Sequence, residues 1–163
     1  MSKTKVSTKV RVALKCKPGI TATSDYTDRL APFDQKTLAL WAADCAEHVL
    51  PHFDALHPAD DRPRRAIEAA RAWACGEMTM MMARAAAVQT HAAARASDHP
   101  AAVAAARAAG HAAATAHSIR HARGAAAYAI VAAMAATTAD EQQSAATAER
   151  EWQIAQLPHN RHA

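Results

Sequence analysis

Bulky side chains are scarce in this chain of 163 residues: Val, Ile, Leu and Phe together number 21, and aromatic residues make up 4%. Strands draw on β-branched and aromatic side chains to cover a pleated face, and these are sparse after residue 34. Glycine is rare too, with four residues, so the segments between punctuation are long. The longest uncharged apolar run, Gly124 to Ala136, falls short of the roughly 20 residues that span a bilayer as a helix. The three cysteines, Cys16, Cys45 and Cys75, form no CxxC and cannot all pair with one another. That suits reduced thiols and a cytoplasmic location. The basic start is followed by no apolar stretch of the kind that makes a secretory leader. HExxH, GxSxG, Walker-type and GxGxxG patterns are all missing, so no reaction is specified by motif.

What the chain has in abundance is alanine, with 48 residues. Alanine has the highest helix propensity because it loses no side-chain entropy on folding. A length of this order fits one domain with a real core. The expected architecture is therefore all-α: five to six Ala-rich helices packed as antiparallel hairpins. Helices faced with methyl groups can approach toward the short end of the usual range of about 8–10 Å. Each contact is then small, where a buried Leu or Phe would contribute about 1.5–3 kcal/mol. Stability has to come from many such contacts, or from a homo-oligomer.

Charge divides the chain. Residues 1–24 hold six basic groups (Lys3, Lys5, Lys9, Arg11, Lys15, Lys17) and no acid, whereas the remainder sums to −2. All six lysines lie at or before Lys36. Residues 1–33 read as a basic N-terminal arm, extended or mobile, with Val6, Val10, Val12 and Leu14 alternating as in a short strand and Thr21 to Asp28 as loop. Such an arm can add weak, salt-dependent affinity for nucleic acid, or simply be solvated. Residues 34–158 read as a single helical domain and 159–163 as a frayed tail.

Within that domain Asp34 is a plausible N-cap. Leu38, Trp41, Cys45, Val49, Phe53 and Leu56 follow at spacings of three or four, and Pro51 predicts a break near residue 50. A second helix opens at Asp60-Asp61-Arg62-Pro63, turns Ile67, Ala70, Trp73 and Ala74 inward and ends near Gly76. A third, from about Glu77 to Ala96, puts Met78, Met81, Ala85, Val88 and Ala92 on one face, with Met80, Met81 and Met82 read as core. Asp98 with Pro100 opens a fourth, with Val103, Ala106, Gly110, Ala113 and His117 on one side. After a turn between His117 and Arg123, a fifth carries Gly124, Tyr128, Val131 and Ala135. A sixth, capped by Thr138 or Asp140, presents Ala145, Ala148, Trp152 and Ala155 and stops at Pro158. Ala69-Ala70-Arg71-Ala72 and Ala105-Ala106-Arg107-Ala108 match at an offset of 36 residues, about one helical hairpin.

Ten histidines invite a metal. His117 and His121 are four apart, as two ligands on one helix face need to be, and His111 or His91 could supply a third. Zinc would be the natural occupant, in a metal or small-ligand site with or without catalysis. The same histidines could instead cap or bridge helix ends. Cys45, His48 and His52 share a spacing of this kind, but Pro51 interrupts the helix that would align them. Arg71, Glu68 and Arg107 rise from a low alanine surface and can reach a partner, arginine being enriched at binding hot spots. They can equally form ion pairs within the chain.

The ordered set of local sequences resembles a bacterial family of predicted immunity proteins, the immunity five-like type. The stretches are Leu38-Ala39-Leu40-Trp41-Ala42-Ala43-Asp44-Cys45-Ala46-Glu47, Asp61-Arg62-Pro63-Arg64 and Ala66-Ile67-Glu68-Ala69-Ala70-Arg71-Ala72-Trp73. Ala83-Arg84-Ala85-Ala86-Ala87, His91, Arg107-Ala108-Ala109-Gly110-His111, Ala116-His117, His121-Ala122 and Gly124-Ala125-Ala126 follow. Glu149-Arg150-Glu151-Trp152-Gln153 and Leu157-Pro158 close the set. The resemblance covers about residues 36 to 158. It implies an all-α fold and a non-enzymatic role, that of binding and neutralising a cognate toxin from a polymorphic toxin system. A body summing to −2 does not suit a strongly acidic mimic steered onto a basic nuclease.

Overall fold

The computed structural model describes residues 24–158, with no strand among them. Its helices are α1 (Ser24–Leu30), α2 (Gln35–Val49), the single turn α3 (Pro51–Asp54), α4 (Arg62–Ala74), α5 (Met80–Ala96), α6 (Pro100–Ala114), α7 (Arg120–Ala135) and α8 (Gln142–Ala155). The all-α expectation holds: α2 with α3, then α4 to α8, are the six expected Ala-rich helices. The strand expected around Val6 to Leu14, the basic groups before residue 24 and the tail 159–163 lie outside the described residues.

Local chemistry sets the boundaries. The Asp34 carboxylate accepts from the Thr37 N–H at 2.7 Å and starts α2. Pro51 ends it, and the Leu50 N–H takes the Glu47 carbonyl at 3.2 Å in a tighter turn. Helix α4 closes with Gly76 at φ 80°. The Gly76 N–H meets the Trp73 carbonyl at 3.0 Å and the Glu77 N–H meets that of Ala72 at 2.8 Å, the paired bonds of a left-handed C-terminal cap. Thr79 then caps α5 through the Met82 N–H at 3.3 Å, so this helix begins three residues later than Glu77.

Helix α6 is the centre. Twelve of its fifteen residues are buried, and it packs against α2, α3, α4, α5 and α7. A helix can be surrounded in this way only if it is apolar nearly all round. Helix α2 spans α4, α6 and α7 on one side, and α8 lies along α7. Larger side chains gather where α2 meets the others, with Leu38, Trp41, Val49, Phe53 and Ile67 all buried.

Three expected core faces are rotated. Helix α5 buries Ala83, Ala87, Thr90, Ala93 and Ala94 and leaves Met81, Ala85 and Val88 exposed. Helix α7 buries Ala122, Ala125, Ala126, Ala129 and Ile130, with Tyr128 and Val131 at the margin. Helix α8 buries Ala146, Glu149 and Gln153, whereas Ala148 and Ala155 are exposed. Close helix contact admits only small groups, so the bulky residues stand outside it. The stretch expected as loop up to Asp28 also differs: α1 begins at Ser24, and Tyr26 and Leu30 join the core.

Gln153 explains both the rotation of α8 and the seating of α1. Its side-chain carbonyl accepts from the Tyr26 hydroxyl at 2.5 Å. Its amide donates to the Ala126 carbonyl at 3.1 Å and to the Glu149 carboxylate at 2.9 Å. Its backbone carbonyl accepts from the Trp41 indole at 2.8 Å. The other Glu149 oxygen meets His48 Nδ1 at 2.8 Å, and the His48 ring stacks on Trp152 at 3.8 Å. Replacing Gln153 with Leu strands the Tyr26 hydroxyl and one buried Glu149 oxygen. At about 1–3 kcal/mol for each buried group left unpaired, Gln153→Leu should destabilise the fold by roughly 2–6 kcal/mol, read as a lowered urea midpoint.

Candidate functional site

Of the three side chains expected to meet a partner, Arg71 and Glu68 share α4 and Arg107 lies on α6. Arg71 on α4 crosses to α2, where its guanidinium holds both Glu47 oxygens at 3.0 and 2.7 Å and Asp44 at 2.8 Å. The Glu47 bond raises the Arg71 pKa, with Asp44 adding to it, and holds the Glu47 carboxyl below its usual range. Arg71 is thus a clamp between two helices. Glu68, also on α4, is exposed. Arg107 sits apart, half-buried on α6. The groups acting on its charge are Tyr128 and Arg95, and it forms no ion pair with any described carboxylate.

The four singled-out histidines do come together, along the seam where α5, α6 and α7 meet. His91 and His111 rings meet edge to face at 5.5 Å, His111 and His121 at 5.1 Å, and His117 and His121 at 4.8 Å. His111 and His121 share a hydrogen bond between their Nδ1 atoms at 3.0 Å, one donating and the other accepting. His111 also lies against Tyr128 at 5.2 Å. Ring-to-ring contact is not ligand convergence: among the described residues no group of three or more His, Cys, Asp or Glu is placed to hold a metal ion. Cys45, His48 and His52 do not converge either, since Cys45 is buried and His48 is engaged with Glu149.

Two glycines build this seam. A Cβ on Gly110 would lie 2.6 Å from the His91 ring, and one on Gly124 would lie 2.5 Å from His111 Nδ1. Each imidazole therefore rests directly on the backbone of the next helix. Burial first, then the positive charges of Arg107 and Arg95, lowers the His91 pKa from 6.5 to about 4. Burial, with His91 and His121 beside it, brings His111 to about 4 as well. Both rings are neutral at pH 7. Sequence reasoning singled out the histidines and Arg107 but missed Arg95, Tyr128 and the two glycines. Their signal was faint: Gly where Ala is the rule, beside His111 in one case and one turn after His121 in the other.

The other exposed feature is apolar. Met81, Val88 and Met82 are 62%, 59% and 57% exposed on α5, with Met80 beside them. These methionines are not the core face that was expected. Two shallow clefts, of about 250 and 180 Å³, lie elsewhere, one beside Arg29, Phe33 and Leu157 and the other beside Leu30, Ile119 and Arg123. Both are smaller than the roughly 300–1,000 Å³ usual for small-molecule pockets. No helix among the described residues is long and apolar enough to cross a membrane.

A model of the Imm-5 like putative immunity protein family matches residues 28–160. The chain belongs to that family. No curated protein and no solved structure matches it. The family match begins inside α1, in keeping with Leu30 being part of the packed body. In this Imm-5 like chain the polar seam and the apolar face are both offered by α5, which presents His91 and Arg95 along one edge and Met81 and Val88 to solvent.

Two outcomes follow from the seam. Gly110→Ala should destabilise the protein by about 1–3 kcal/mol through overpacking, against a gain of about 1 kcal/mol that Ala would bring to an unobstructed helix. Adding His91→Ala should remove most of that loss, as a double-mutant cycle in urea would show. Protonation provides the second. His91 and His111 titrate near 4 when folded and near 6.5 when unfolded, so the unfolded chain binds more protons between those values. The urea midpoint should be flat between pH 7 and 8 and fall between pH 7 and 5.5, and the fall should shrink in His91→Gln/His111→Gln.

Proposed function

We propose that this chain is an immunity protein that binds a toxin and neutralises it by covering it, without catalysing a reaction. The reading includes a cytoplasmic location, with Cys45 and Cys75 as free thiols. Membership of the Imm-5 like family supports a protein partner, and the observation that carries the reading further is the uncovered apolar face of α5. Three large apolar side chains each more than half exposed on one helix form a surface that water does not favour. Methionine suits such a surface because its unbranched, polarizable side chain can repack against a partner. The backbone beneath is rigid, since α5 is held by α4 and α6, so little ordering entropy is lost on docking. Arg71, tied to Glu47 and Asp44, serves the fold in this reading; Glu68 and Arg107 remain available for contact.

Co-expression with toxin domains encoded in the same genome tests it. Wild-type chain should restore growth against one of them and co-purify with that domain. Met81→Asp/Val88→Asp should weaken the complex at least tenfold and abolish protection. Its unfolding free energy in urea should stay within about 0.5 kcal/mol of wild type, as for exposed sites in general. Full protection by the double variant would remove α5 from the interface, and failure to neutralise any such domain would remove the immunity reading.

A further inference from the structure

We propose that the seam around Arg107 is a binding site for an oxyanion, a carboxylate or phosphate group, received by the Arg107 guanidinium with His91, Tyr128 and Arg95 around it. The proposal does not depend on which surface meets a toxin.

Arg107 and His111, one turn apart, are the two residues inside α6 that escape full burial. Nearly everything else on this helix is Ala. A guanidinium carries five N–H donors in a fixed fork, and burying its charge without a partner is unfavourable. Two other partly buried arginines meet that demand with carboxylates: Arg62 pairs with Asp60, and Arg71 with Asp44 and Glu47. Arg107 is half-buried and makes no such pair.

Its surroundings add to the imbalance. The charges acting on His91 are those of Arg107, Arg95 and His121, and those acting on His111 are His91, His121 and Arg107. No carboxylate is among them. Neutral at pH 7, the two rings contribute N–H groups rather than further positive charge. His91 Nδ1 is buried without a hydrogen-bond partner. A sealed N–H is costlier than a sealed lone pair, so the proton belongs on Nε2, leaving that edge as a donor. The Tyr128 phenol, close enough to act on the Arg107 charge, is a further donor.

The seam is also constructed rather than left over. Gly110 and Gly124 are the glycines inside helices, each less favourable there than Ala by about 1 kcal/mol. In a chain with 48 alanines, glycine stands at the two points where a methyl would push His91 or His111 off the backbone. Both rings are thereby kept low, within reach of the Arg107 charge.

The test is an NMR titration of the full chain at pH 7.5 and fixed ionic strength. Sodium phosphate and sodium acetate are the probes, and sodium chloride is the reference. Saturable shifts at Arg107 Nε–Hε, His91 and Tyr128 are expected with at least one probe. Phosphate alone saturating assigns a phosphate group, and acetate saturating assigns a carboxylate. Arg107→Gln should weaken binding at least tenfold and Arg107→Lys, which lacks the fork, at least threefold. Arg64→Gln should bind as wild type. Because Arg107 is unpaired, Arg107→Gln in chloride buffer should unfold at the same or a higher urea concentration than wild type. Shifts that rise linearly and spread over all basic residues would overturn the proposal. So would unchanged binding by both Arg107 variants, or a lowered urea midpoint in chloride.

Discussion

Methyl-to-backbone contact around α6 is the constraint from which the rest of the structure follows. A helix ringed by five others cannot carry side chains of ordinary size, because neighbouring axes would be forced apart. Alanine resolves this, and it also supplies the helix propensity that makes each rod stable before it packs. The consequence is an inverted layout. In most helical domains large apolar residues mark the interior and small ones the margin. Here Met81, Met82, Val88 and Tyr128 stand at or beyond the edge, and the interior of α5, α6 and α7 is mostly alanine, with Thr90, Val103 and Ile130 among it.

That inversion explains what could be read in advance. Boundaries were legible because they depend on local chemistry: Asp34, Pro51, Gly76 and Pro100 act through their own backbone or side chain. The orientation of α2 was legible because Leu38, Trp41, Cys45, Val49 and Phe53 contrast with their neighbours. In α5 and α7 the contrast pointed the wrong way, since the few bulky residues had been excluded from the closest contacts. In α8 the buried stripe runs through Glu149 and Gln153, which no hydrophobic pattern reveals. Their burial is decided by Tyr26, Trp41 and His48, far off in sequence. The candidate site was half legible. Histidine spacing brought His91, His111, His117 and His121 to notice, but spacing along one helix does not report which way rings lean across a helix pair.

Arg71 and Arg107 show how one residue type takes two roles. Both sit in Ala-Ala-Arg-Ala sequences on helices of the same body. Arg71 meets two carboxylates from α2 and is spent holding helices together. Arg107 faces Arg95, Tyr128 and histidines, with no carboxylate to neutralise it. Local sequence could not separate them, because the difference lies wholly in what the neighbouring helices bring.

The bonds from Tyr26 and Trp41 to Gln153 span 127 and 112 residues. During synthesis, α4 to α7 can pair with their immediate neighbours as they emerge. Helix α1 and the indole of α2 must wait for a residue made more than a hundred positions later. Until then Tyr26 lacks its buried acceptor, and the described body locks only when the ribosome has delivered α8.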